Sequence, residues 1–273
     1  MSPSATENGA KANGVIETDL GIVPVPKVEG DWTVDKAVDT IGTGKYTEAS
    51  NSPIGYFHLL ERLKTTKREG WRRFDINRGE SISDHMYRMS MMTMLAPASL
   101  AEKIDVNRCI KMALIHDMAE SLVGDITPVD NVPKTEKNRR EASTMDYITK
   151  RLLGNVDGGK QGEQIRAIWQ EYEDSKTLES LFVHDIDKIE LLLQMVEYEK
   201  RGKGKLDLGE FTFVKTKVGL NEMRAWADEI IKEREEFWAG KEHIRRDGGD
   251  EGVITQEKEK MQEAYYAGHG RKE

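Results

Sequence analysis

The chain has 273 residues, enough for one large domain with a sizeable core or for two small ones. A formal net charge of −8 with no long block of Lys or Arg argues against a nucleic-acid polymer as partner. No run of eighteen apolar residues exists, and the N-terminus has no charged start followed by an apolar segment, so neither a membrane span nor a secretory signal is expected. The single cysteine, Cys109, has no internal partner and agrees with a reducing compartment. An intracellular, cytoplasmic protein is therefore expected, with Cys109 as a buried structural thiol.

In chain order, residues 1–50 are rich in Gly, Ser, Thr, Lys and Asp and show no sustained apolar period, so they are read as a disordered tail. The folded unit is expected over 51–239, followed by a polar tail at 240–273. Ser52 and Pro53 supply an N-cap and a first-turn proline, and Phe57, Leu60 and Leu63 follow at helical spacing, with His58 and Glu61 off that stripe. A loop containing Gly70 and Gly79 leads to a second helix from about Ile82, in which Ile82, Met86, Met89 and Thr93 recur at steps of four, three and four until Pro97. The methionines of "MYRMSMMTML" are at core-packing spacing. A third helix is expected from about Val106 to Leu122, stopped by Gly124. Further helices are expected at about 135–153, 161–173, 177–200 and 219–238. The strand-like run "KLDLGEFTF" has no second run to pair with and is read as a loop. The fold class is therefore all-α. No 20–50-residue repeat, GxxxxGK[ST] or GxGxxG stretch is visible, which removes the common nucleotide-binding loops.

The stretch "IHDMAESLVGDITP", Ile115–Pro128, sets a histidine and two acids at the end of an apolar helix. On one helix, His116 and Glu120 are four residues apart and Asp117 and Glu120 three apart, so all three reach one small volume. Unpaired charge at the edge of a core is costly. A divalent cation resolves this, because it neutralises acids while accepting imidazole nitrogen and carboxylate oxygen together. A second His-Asp pair, in "VHDID" at 183–187, has no acid three or four positions on.

"SDHMYRM", "LIHDMAESLVGDITP" and "LFVHDIDKIELLLQMVEYE", in that order, resemble the metal-dependent phosphohydrolases of the HD domain superfamily, and most of all its 5′-deoxynucleotidases. The resemblance spans about Ile54 to Phe237. It implies a helical bundle with one cation bound by His85, His116, Asp117 and Asp187, and gives His184 a packing or outer role. It also implies that Glu120 and Asp125 position or deprotonate the attacking water. Some relatives hold a second cation with those two acids and the following backbone carbonyl, here Ile126. Nitrogen and oxygen ligands without thiolate suit Mn, Co or a similar ion at the first site, and Mg at a carboxylate-rich second one.

Family members place an Arg and a Trp before the first metal histidine. Here Trp71 is offered for stacking on the substrate or for packing, and, since Gly70 stands where relatives have arginine, Arg68 or Arg72 would bind phosphate. Arg88 and Lys188 are further candidates. The expected activity is metal-dependent hydrolysis of deoxyribonucleoside 5′-monophosphates, with a homodimeric enzyme implied by the resemblance. The alternatives are another HD phosphohydrolase, acting on nucleoside triphosphates or cyclic nucleotides, and a non-catalytic nucleotide-binding module. An apolar stripe of Met223, Trp226, Ile230 and Phe237 could pack within the monomer or on a second copy.

Overall fold

The computed structural model describes residues 26–42, 44–127, 130 and 132–241. Among them there is no strand, and a lone antiparallel bridge joins Lys67 to Ser81. The described residues form eleven α-helical segments: α1 (Val34–Asp39), α2 (Ile54–Thr65), α3 (Glu69–Arg72), α4 (Ile82–Thr93), α5 (Ala98–Ala101), α6 (Val106–Ile115), α7 (Glu120–Val123), α8 (Lys134–Asp146), α9 (Lys160–Asp174), α10 (Leu178–Arg201) and α11 (Asn221–Trp238).

The centre of the bundle is α4 against α6, with α10 laid on both. Their apolar stripes meet through Ile82, Met86 and Met89, through Cys109, Met112 and Ala113, and through Phe182, Ile186, Ile189 and Met195, all buried. The strongest start signal belongs to α4. The Ser81 hydroxyl accepts from the Asp84 amide at 3.1 Å while the Asp84 carboxylate accepts from the Ser81 amide at 2.8 Å, a reciprocal cap that fixes where the helix begins. Asp105 and Thr177 cap α6 and α10 in the same manner through one bond each. On either side, α9 packs on α6 and α10, and α11 covers the outer face of α10.

Four differences from the sequence reading have physical causes. First, part of the stretch read as a tail is folded: α1 packs on α7 and α8, and Trp32 and Ala37 join Val123 and Ile126 in a small second core. Arg139 ties this layer down by donating to the Trp32 carbonyl at 2.7 Å. The rest of the two expected tails, 1–25 and 242–273, lies outside the described residues. Second, α2 buries Leu59 and Leu63 but leaves Phe57 54% exposed. Its inner face begins at Gly55, where the Thr47 carbonyl approaches so closely that a Cβ would lie 2.7 Å from it.

Third, the helix expected over 106–122 breaks after Ile115. Bonds from Met118 N to Ile115 O, Glu120 N to Asp117 O and Ser121 N to Met118 O, at 2.9–3.2 Å, wind this segment at three residues per turn until α7. Gly124, at φ 78°, ends α7 by a left-handed residue. Fourth, "KLDLGEFTF" contributes to a 3₁₀ segment, Gly209–Lys217. Leu208, Phe211 and Val214 are buried at a spacing of three, which is the period of that winding.

Candidate metal centre

His85 stands in the second turn of α4, entirely buried. Its Nδ1 lies 2.6 Å from a Glu190 carboxylate oxygen on α10, so Nδ1–H donates outward and Nε2 faces the interior. There Nε2 lies 3.2 Å from an Asp187 oxygen and 3.8 Å from an Asp117 oxygen. His116 repeats the arrangement from the other wall: Nδ1 donates to the Ala113 carbonyl at 3.0 Å, and Nε2 lies 3.1 Å from the same Asp117 oxygen. One ligand atom each from His85, His116 and Asp187 falls within 4.8 Å of the others. Two helices, α4 and α10, and the turn after α6 thus bring together the four residues expected to bind one ion.

The donor set fits a divalent cation. Both Nε2 atoms are buried and lack a hydrogen-bond partner, as does Glu120 Oε2, and buried polar atoms are seldom left so. Burial opposes ionisation of Asp117 and Asp187. His116 and Arg68 beside the first, and His85 and Arg68 beside the second, nevertheless hold both carboxyls well below the usual range. Burial and Arg68 work against an imidazolium at His85, yet Glu190 and Asp187 prevail and raise its pKa to about 10. Burial, reinforced by Asp117 and Asp125, pushes Glu120 well above its ordinary value. Because Asp117 and Glu120 are three residues apart in a three-residue winding, their side chains stand on the same side of it; the single α-helical face expected from the sequence is not what aligns them.

His116, Asp117 and Asp187 border a cavity of about 180 Å³. Arg68 points into it, with its guanidinium 3.4 Å from Asp117 and 4.0 Å from Asp187. Arg72 does not line it: its side chain is half exposed and pairs with Glu69 at 3.1 Å. Trp71 forms part of the wall but is 2% exposed, wedged between Tyr198 and Phe211 at ring separations of 5.3 and 4.8 Å, with its indole N–H on Glu80 at 2.7 Å. Arg88 lies behind His85 on Glu190, Gln194 and Glu197. Lys188 borders the cavity while donating to the His184 carbonyl at 3.0 Å. His184 stacks 3.9 Å from Tyr172, with Nε2 2.7 Å from the Ser175 hydroxyl.

Asp125 accepts from the Glu69 amide at 2.7 Å. The Ile126 carbonyl, expected at a second cation, instead accepts from the Lys137 ammonium at 3.2 Å. α8 crosses this loop and delivers a positive charge to it. Asp185 accepts from the Gly219 and Leu220 amides at 2.7–3.0 Å and fastens α10 to the start of α11.

Sequence reasoning missed the far wall of the cavity: Lys134, Lys137 and Glu141 of α8, Glu173 of α9, and Phe211 and Phe213 of the 3₁₀ segment. The spacing 134, 137, 141 is one helical face and was the available signal, but a polar helical face ordinarily reads as solvated.

A family model described as an HD domain matches residues 60–225. The chain belongs to the HD domain family. Its HD domain is 44% identical over 190 residues to the 5′-deoxynucleotidase hdd1 of Schizosaccharomyces pombe, covering 70% of this chain and 94% of that relative. It is 40% identical over 188 residues to the 5′-deoxynucleotidase YGK1 of Saccharomyces cerevisiae, covering 69% and 86%. The solved structure of the HD domain-containing protein YGK1 superposes with a TM-score of 0.53 over 68% of this chain and 87% of that one, at 32% identity. The expected all-α HD fold is thus the observed one.

Proposed function

We propose that this HD domain is a metal-dependent 5′-deoxynucleotidase, hydrolysing deoxyribonucleoside 5′-monophosphates to deoxynucleoside and phosphate. One observation carries the reading: two buried imidazoles whose Nδ1 atoms are engaged outward turn unpartnered Nε2 atoms toward two ionised aspartates. Relatives named 5′-deoxynucleotidases, at up to 48% identity, support the substrate class.

His85, His116, Asp117 and Asp187 would hold the cation, and mixed nitrogen and oxygen donors favour Mn, Co or a similar ion. When bound, such an ion supplies a water of lowered pKa and neutralises phosphoryl charge. The chain supplies the remainder. Arg68 presents a guanidinium to the phosphoryl oxygens, a geometry suited to paired hydrogen bonds. Glu120, with an oxygen left unpartnered and a raised pKa, takes the proton from the attacking water. Asp125, braced by the Glu69 amide, helps orient that water. The α8 lysines offset the negative charge of the incoming nucleotide, and Phe211 and Phe213 provide an apolar wall for the deoxynucleoside.

The exposed side chains of Tyr87, Met91, Met94 and Leu95, 44–72% accessible on one face at the end of α4, support a homodimer. Met223 and Ile230 of α11 are instead buried within the monomer. Among the described residues no helix is long and apolar enough to cross a membrane, and the single cysteine supports a cytoplasmic location.

The test pairs metal content with phosphate release from a panel of deoxynucleoside 5′-monophosphates. Wild-type protein is expected to release phosphate with Mn or Co and to stop on chelation. His116→Ala is expected to lose both bound metal and at least 10³-fold in rate. Undiminished hydrolysis by metal-stripped protein overturns the reading.

A further inference from the structure

Behind the metal centre, away from the cavity, lies a second group of titratable side chains that the chemistry above leaves unused. Glu190 of α10 is completely buried, 2.6 Å from His85 Nδ1 through one carboxylate oxygen. Its other oxygen lies 2.8 Å from Arg88 Nε and 2.6 Å from the Arg88 terminal nitrogen. Arg88 is itself oriented from outside, donating to Glu197 at 2.8 Å and to Gln194 at 2.9 Å. The result is one continuous chain of charge-assisted bonds from the surface to a metal ligand. Glu80, on the other side of His85, could in principle complete an ion seat with His85 and Glu190. Both Glu190 oxygens are already engaged, however, and Glu80 receives the Trp71 indole N–H, so this outer trio is not a second seat.

Two features separate this arrangement from ordinary core neutralisation. A carboxylate with no solvent access is costly, and an apolar residue facing a shortened α4 side chain would serve packing alone. The two imidazoles are also treated differently: His116 Nδ1 donates to the neutral Ala113 carbonyl, whereas His85 Nδ1 donates to a full negative charge. An anionic acceptor makes the opposite nitrogen a stronger electron donor and fixes both tautomer and ring orientation.

We infer, resting on the metal reading above, that Glu190 is a positioning residue held by Arg88, and that it makes His85 the stronger imidazole donor to the cation. Its contribution lies in cation affinity and not in the hydrolytic step. Removing its charge lowers affinity, and raising the metal concentration restores the rate.

The full chain is titrated with Mn(II) alone, free ion being counted by its electron paramagnetic resonance signal. Glu190→Gln is expected to weaken Mn(II) binding by roughly 10- to 100-fold, while phosphate release at saturating Mn(II) stays within about threefold of wild type. Glu190→Asp, which restores the charge on a shorter arm, is expected to recover part of the affinity. Folded Glu190→Gln that binds Mn(II) within twofold of wild type overturns the proposal, as does a lowered rate that saturating Mn(II) leaves unrestored. If Glu190→Gln gives no folded protein, Arg88→Lys decides the matter. Arg88 is partly exposed, and the lysine keeps the positive charge while losing the two-pronged grip on Glu190. Weaker Mn(II) binding in that variant supports the proposal, and unchanged binding overturns it. Wild-type protein that binds no Mn(II) defeats the metal reading itself, whereas wild-type binding with indifferent variants defeats only the role of Glu190.

Discussion

Arg68 and Arg72 carry the same chemistry one helical turn apart and meet opposite surroundings. The first is enclosed beside Asp117, Asp187 and Glu80; the second lies over solvent on Glu69. Arg68→Met is therefore expected to lower kcat/KM by roughly 10²-fold or more, the scale of removing one preorganised charge donor. Arg72→Met should stay within about twofold, an exposed ion pair contributing little. Steady-state phosphate release on both variants checks the contrast, and equal losses would reverse the assignment. The sequence could not choose between the two because both flank the Gly70-Trp71 pair, and α3 is a single turn whose direction is set by packing. The four residues that converge at the candidate centre, by contrast, were legible in their motifs; Asp187 faces His85, and Asp185 accepts amide bonds at the entrance to α11.

Among the elements, α4 was the most legible, because its stripe and its cap agree. Replacing Ser81 by Ala removes one half of the reciprocal cap. The change is expected to cost about 1 kcal/mol, read as a fall in Tm of about 2–4 °C for a domain of this size in thermal unfolding followed by circular dichroism. Where elements were misread, a period was the cause. Residues 116–119 carry an α-helical pattern of polar and apolar side chains, yet the backbone tightens there to three residues per turn. The run with Leu208, Phe211 and Val214 was taken for a loop because a three-residue period was not among those sought. α1 was missed for a different reason: six residues carry too little periodicity to stand out, and it is burial against α7, α8 and Trp32 that stabilises it.

For the whole molecule, the exposed apolar stripe on α4 is the feature that a monomer leaves unexplained. Contiguous exposed apolar surface marks association sites, and Met91 stands in the middle of this one. If the proposed homodimer forms through this stripe, Met91→Glu is expected to convert it into a monomer in sedimentation velocity while leaving thermal stability near that of the parent. An unchanged sedimentation coefficient for the variant places any contact elsewhere. None of this was visible in the sequence, where the α4 methionines read uniformly as core; exposure of Met91 and Met94 follows from α10 and α6 covering only the opposite side.

The distance along the chain between His85 and Asp187 has a thermodynamic consequence. Donors from α4, α10 and the turn after α6 face one point only when α4, α6 and α10 are assembled, so the denatured ensemble offers the ion no comparable seat. Linkage then makes the ion a staple for the native bundle, adding about 1.4 kcal/mol for each tenfold excess over its dissociation constant. Melting curves recorded across a Mn(II) series should climb steadily with the logarithm of concentration for wild-type protein and stay flat for His116→Ala, which turns a calorimeter into a reporter of the catalytic centre without any substrate present.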